Sequence, residues 1–244
     1  MRALVIAFLL CLGHLSYAQH KIEKAQFSLG EQLNYKIKYG WFKIGEAVFK
    51  VDSQLHYFDN EAHYNVRFSF KTQGLVALFS NLNLNWDSYI GVDTNRPFKS
   101  VQTVSNGKRV NAYYDNYSYA DSIYVQSRKN QNEEIKFGFK ETGRPFVDAL
   151  GTYLYVRSIS LDMKRSVDMQ LYYSKKVYDF GITPDKSLIK KNDHGLKSYS
   201  IRLPDIEEFA VDKQSYVIFR GSDSVIEELK LATSDGNIYL VLED

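Results

Sequence analysis

Along much of the chain, apolar side chains recur at every second residue. Leu33, Tyr35, Ile37 and Tyr39 alternate with Asn34, Lys36 and Lys38. The same period returns at Tyr64, Val66, Phe68 and Phe70, and again at Leu82, Leu84, Trp86 and Ser88. Successive side chains of an extended strand leave opposite faces, so this period makes one face apolar and the other wet. A chain that repeats it folds as antiparallel sheet curved around its own core. The pattern predicts strands over 31–39, 44–53, 62–73, 82–90, 98–105, 108–115, 117–126 and 133–140. It resumes over 167–174, 176–183, 196–203, 214–220, 224–232 and 237–243.

Turn chemistry adds register. Asn106-Gly107 predicts a two-residue type I′ hairpin, because both residues tolerate positive φ. That turn pairs Ser105 with Lys108 and makes Val104, Val110, Ala112 and Tyr114 candidates for the buried side. If Asp59-Asn60 is also a two-residue turn, His56 stands opposite His63. Zinc needs three or four ligands and no third is indicated, so the pair reads as surface histidines on a hairpin tip. Between 74 and 80 the chain is apolar and fits a short helix or a buried loop.

The period changes once. Asp148 precedes Ala149, Leu150, Tyr153, Leu154 and Arg157, which have helical spacing. The spacing predicts a helix over 148–160 with Asp148 as its N-cap. Gly151 inside it costs about 1 kcal/mol relative to alanine unless close packing needs the missing side chain. The expected fold is mostly β: a curved antiparallel sheet, or an open barrel or roll, with the 148–160 helix packed against it.

The first residues read as a targeting signal. Arg2 precedes an apolar run from Ala3 to Leu12, shorter than the roughly 20 residues a bilayer crossing takes. Ser16-Tyr17-Ala18 fits a cleavage site, so residues 1–18 are expected to be removed and 19–244 to form one β-rich domain. A lipoprotein signal acylated at Cys11 is disfavoured, because Leu10 stands where a small residue is wanted. Cys11 is the one cysteine in the sequence and leaves with the signal, so the mature chain has no disulfide. This combination fits a Gram-negative periplasm or outer envelope. No transmembrane segment is expected after signal removal. The formal net charge of +2 is too small, and its cations too scattered, for nucleic acid.

No nucleophile elbow, phosphate loop, zinc-protease helix or Cys/His cluster is present. Cofactor-dependent and nucleophilic enzymes are thereby set aside, and no cofactor or metal is expected. Glu31 and Glu46 fall toward opposite ends of the first hairpin and make a poor acid pair. Arg157 suits an anionic headgroup or an acidic sugar, but pairing with a sheet carboxylate is the preferred reading. The 19 tyrosines and 15 phenylalanines suit strands and could also line a lipid or sugar site. Candidate ligand-binding residues are Tyr35, Tyr39, Trp41, Phe68, Trp86, Tyr153 and Arg157.

The segment Phe27 to Ile37, followed by Gly40 and then Gly45-Glu46-Ala47, resembles the opening signature of an exported bacterial family catalogued as domain of unknown function 3108. Asp148-Ala149-Leu150 through Arg157 is similar to that family's Asp-x-x-Ser-x-x-Tyr-x-x-Arg helix, with Gly151 in the serine position. Asp235-Gly236-Asn237-Ile238 resembles its closing strand pair, although Tyr239 stands where a proline is usual. The resemblance implies an exported, mostly β protein and carries no activity. The expected function is a non-enzymatic envelope protein that holds a lipid or glycolipid in its curved sheet. The alternatives are a scaffold that pairs with another envelope protein through an edge strand, and a carbohydrate-binding or carbohydrate-acting protein.

Overall fold

The computed structural model describes residues 27–130, 132–159, 166–189, 195–205 and 209–243. The expected signal, its cleavage site and Cys11 lie outside these residues. Among the described residues the chain forms strands β1 (Gln32–Tyr39), β2 (Phe42–Val51), β3 (His56–Phe58), β4 (Glu61–Thr72), β5 (Asn83–Gly91), β6 (Pro97–Ser105), β7 (Val110–Tyr119) and β8 (Ile123–Lys129). There follow β9 (Ile135–Phe139), β10 (Phe146–Val147), β11 (Val167–Tyr173), β12 (Lys176–Pro184), β13 (Leu196–Arg202), β14 (Ser215–Arg220), β15 (Ile226–Thr233) and β16 (Gly236–Leu242). Two helices interrupt them, α1 (Gly74–Phe79) and α2 (Ala149–Ile159).

All sixteen strands belong to one sheet, in the order β10-β11-β12-β13-β14-β15-β16-β1-β2-β4-β5-β6-β7-β8-β9, with β3 beside β4. Every pairing is antiparallel except β10 with β11. The strand from the chain's start and the one from its end meet in the middle, Ile37 opposite Leu240. Among the described residues the sheet does not close by hydrogen bonds, so the expected curved antiparallel sheet forms as an open roll.

Burial shows how the ends meet instead. On β11, Met169 and Leu171 face a core shared with Phe180, Ile182, Val217 and Phe219. Tyr172 leaves the opposite face and is also buried, packed with Phe146 against Tyr117, Ile123 and Val125 of β7 and β8. The β10–β12 end therefore tucks inside the β7–β9 end. The two overlap face on face, as in a rolled sheet, and β11 is buried on both sides.

Helix α2 lies within the roll. Leu150 and Leu154 pack into a core built by Tyr35, Ile37, Phe49, Val51 and Val66, while Tyr155 and Val156 enter the core of β11–β15. One amphipathic turn sequence thus joins two walls of one sheet. Its start is where the spacing predicts: Asp148 Oδ1 accepts the Gly151 N–H at 2.6 Å, as an N-cap should. A Cβ at Gly151 would stand 3.0 Å from that carboxylate oxygen and 3.7 Å from Ile90 Cδ1. The tight contact is with the capping carboxylate, while the distance to Ile90 on β5 is ordinary van der Waals contact, so it is the cap that favours glycine here.

Three expectations fail. Ser105 pairs with Val110, not Lys108, because Asn106 to Arg109 form a four-residue loop closed by Asn106 N–H to Arg109 O and by Arg109 N–H to the Asn106 side chain. The faces of β7 are also reversed: Tyr117 is buried, and Val110 is 64% exposed on the opposite parity with Ala112 and Tyr114. Residues 117–126 are not one strand, since the chain turns at 120–122 between β7 and β8.

Candidate functional site

The predicted site residues divide into three groups. Tyr35, Tyr153 and Arg157 come together around α2. The Tyr153 ring stacks on Phe49 with centroids 3.6 Å apart, and its hydroxyl meets that of Tyr35 at 2.9 Å. Arg157 is 1% exposed. Its Nε donates to Ser224 O at 3.1 Å, and Nη1 lies 2.8 Å from Glu31 Oε1 in an ion pair whose N–H does not point squarely at the oxygen. The guanidinium also sits 5.6 Å from the Tyr153 ring centre. Burial pushes the Tyr153 hydroxyl up to about 12 and that of Tyr35 far above its ordinary value. Burial thus favours the neutral hydroxyl at both positions. The preferred reading of Arg157 holds, with Glu31 as its carboxylate, and this network anchors the helix.

Phe68 and Trp86 form the second group. They are cross-strand neighbours on β4 and β5 and pack beside Tyr35 and Phe49. With Phe70 and Leu84 on the same strands, and Ile238 and Leu240 on β16, they line the α2-facing side of the sheet yet remain half-exposed. Every residue of β16 is half-exposed. The Trp86 Nε1–H is buried without a hydrogen-bond partner. An unsatisfied indole costs free energy that any acceptor placed there would recover.

Tyr39 and Trp41 stand apart, at the β1–β2 turn. The Tyr39 hydroxyl donates to Asp235 O, and Trp41 is 81% exposed with its ring stacked 3.7 Å from that of Phe42. They do not join the other five.

A buried polar row escapes sequence reasoning entirely. Ser88, Ser100, Asp115 and Ser127 are direct cross-strand partners on β5, β6, β7 and β8, one per strand. The three serines are buried. Ser88 Oγ donates to Asp148 Oδ2 at 2.5 Å. Burial pushes the Asp148 carboxyl up to about 6, opposed by Ser88 and the Gly151 N–H, and burial also raises Asp115. Asp115 Oδ1 and the Tyr172 hydroxyl are both buried without a well-formed bond. Two carboxyls with raised affinity for protons would suit acid–base chemistry in a cleft. Here Tyr117 and Tyr172 close over them, 5% and 3% exposed, in the overlap of the sheet ends. No single strand carries a signal for the row, which exists only once the register is set.

The histidine turn forms as its residues suggest, with Asp59 and Asn60 at φ 51° and 67° and His56 opposite His63. The pair is not a surface pair, however. His63 is 2% exposed, with Nδ1 at 2.9 Å from Glu61 O and its ring against Phe58 and Phe98. His56 Nε2 lies 2.9 Å from Asp52 Oδ2. Among the described residues no three His, Cys, Asp or Glu side chains gather as a metal site. Lys50, Asp52, Asn65 and Arg67 line a depression of about 30 Å³, room for about one water. No helix among the described residues is long and apolar enough to cross a membrane.

The rolled architecture has a solved counterpart. A beta-barrel-like protein of domain of unknown function DUF1849 from Brucella abortus superposes with a TM-score of 0.57 over 89% of this chain and 97% of its own, at 9% sequence identity. At that identity the likeness concerns the fold. No curated protein matches the chain. The model of the family described as protein of unknown function (DUF3108) matches residues 34–198, from the first strand through α2 to β13, and the chain belongs to that family.

Proposed function

We propose that this is an exported, non-enzymatic envelope protein that holds an apolar or amphipathic ligand, a lipid or glycolipid, against the half-open wall of its rolled sheet. One observation carries the reading: Phe68, Phe70, Leu84, Trp86, Ile238 and Leu240 face the interior and stay half-exposed. Apolar side chains on the concave side of a sheet are normally sealed by the fold, and those left half-exposed there mark a binding surface. Export rests on the Arg2, Ala3–Leu12 and Ser16-Tyr17-Ala18 pattern.

The test is native mass spectrometry of protein extracted gently from its cells. The expected result is a bound species of lipid mass, lost in Leu240→Asp, which places a carboxylate on the wall. A single ligand-free mass across extraction conditions would overturn the proposal. The scaffold reading has one feature behind it: β9 ends the sheet with an edge that no described strand covers.

A further inference from the structure

The antiparallel order sorts the connections into two ends of the roll. The β1–β2, β6–β7, β8–β9, β11–β12 and β15–β16 turns share one end with α1, while β3–β4, β5–β6, β7–β8 and β14–β15 share the other. Contacts between turns agree. Tyr39 reaches Asp235, Gly107 lies against Asn81, and Lys175 lies 6.0 Å from the Phe137 ring, all at the first end.

Exposed apolar side chains follow this division. Of the ten large exposed ones among the described residues, Leu29 and Tyr57 lie at the second end and the rest at or near the first. Trp41, Phe42, Leu78, Val110, Ile135 and Val211 are between 49% and 81% exposed and sit on five different connections or strand tips around the rim. Charge leans in the same sense. At the first end the exposed cations, Lys71, Lys108, Arg109, Lys129, Lys175 and Lys176 with Lys43 and Lys213, outnumber the exposed acids Glu133, Glu134, Asp205, Asp212 and Asp235. At the second end Asp59, Glu61, Asp93, Asp121 and Asp223 are nearly balanced by exposed Lys140, Arg144, Lys186 and Arg220.

We infer that the first end docks on an anionic lipid surface, with the Trp41–Phe42 pair and the neighbouring loop tips inserted and the lysines at headgroup level. Three features select a membrane over a protein partner. The apolar groups stand on separate connections around a rim, an arrangement that a fluid interface accepts more readily than a rigid partner. Exposed tryptophan with flanking lysine matches the amphipathic interfacial layer. The cation excess at the first end, against near balance at the other, would turn that end toward a negative surface. This surface is distinct from the interior wall and stands whether or not that wall holds a ligand.

The experiment is co-flotation of the protein, as processed and recovered from its cells, with vesicles of phosphatidylethanolamine and phosphatidylglycerol or of phosphatidylcholine alone. Binding to the anionic vesicles is expected, weakening with salt. It should fall at least about tenfold in Trp41→Ser/Phe42→Ser and in Lys108→Glu/Arg109→Glu, with circular dichroism unchanged because all four side chains are exposed. In a Trp86→Phe background, Trp41 is the sole tryptophan, and brominated lipids should quench it. Failure to float with anionic vesicles, equal binding by both variants, or an unquenched Trp41 would each overturn the inference. So would a protein partner that needs Trp41 while vesicles are ignored.

Discussion

The wall formed by β16, β1, β2 and β4 and the wall formed by β5 to β8 are pieces of one sheet with opposite interiors. Across the first, inward positions read Leu240, Ile37, Tyr35, Phe49 and Val66. Across the second, the row reads Ser88, Ser100, Asp115 and Ser127. The first faces α2 and is held by burial of apolar area. The second faces the tucked-in edge of its own sheet, whose outer side brings Tyr172 and Phe146 as well as polar groups. A rolled sheet must bury one strand face that would otherwise be wet, and the polar row is what that second face meets.

The largest expected effect tests this division. Phe49→Ala should cost about 3–5 kcal/mol in urea denaturation, since it removes the ring under Tyr153 and leaves a cavity. Ser100→Ala, equally buried on the other wall, should change stability by no more than about 1 kcal/mol, because its 3.4 Å contact with the Tyr117 hydroxyl is long. Similar costs at both sites would mean that the two walls are not held by different forces.

The next effect is a pH dependence carried by Asp148. Its folded value of about 6 lies above the ordinary 3.8, so the folded state holds this proton more tightly than the unfolded one. The group's contribution is therefore most favourable below about pH 4 and is lost as pH rises through 6, on the order of 3 kcal/mol in all. Asp148→Asn keeps an oxygen for the Gly151 N–H and removes the ionisation. Relative to the wild type, it should gain stability between pH 4 and 7.5. A difference that does not move with pH would show that Asp148 is not paying to ionise in a dry site.

The sequence made the first wall legible and the second nearly opaque, for a reason visible in particular residues. From Leu33 to Tyr39 and from Tyr64 to Phe70 only one parity is apolar, so the buried face declares itself. In β7, Val110, Ala112 and Tyr114 are apolar on one parity while Tyr113, Tyr117 and Tyr119 are on the other. Both readings are self-consistent there, and the choice is made by Tyr172 from far along the chain. Helix α2 was legible because its cap and its spacing are local. Arg157's partner was not, since Glu31 precedes β1 and reaches the helix only through the roll. The half-open wall was named in part by Phe68 and Trp86. Their exposure depends on what else fills the interior, which no local pattern records.

The smallest effect is the sharpest, because one chemical change should act with opposite signs on the two walls. Tyr35→Phe deletes a hydroxyl bonded to that of Tyr153 at 2.9 Å and leaves the partner short of a bond beside Arg157. Loss of a satisfied buried bond costs about 0.5–1.5 kcal/mol. Tyr172→Phe deletes a hydroxyl that is buried near Asp115 and Ser127 without a bond of good geometry. Its desolvation is uncompensated in the folded state, so removing it should be neutral or stabilising by up to about 1 kcal/mol. Paired denaturation curves for the two variants read the sign directly. If Tyr172→Phe destabilises as much as Tyr35→Phe, the overlap of the sheet ends is a satisfied hydrogen-bonded layer, and Asp115 and Tyr172 are partners in it.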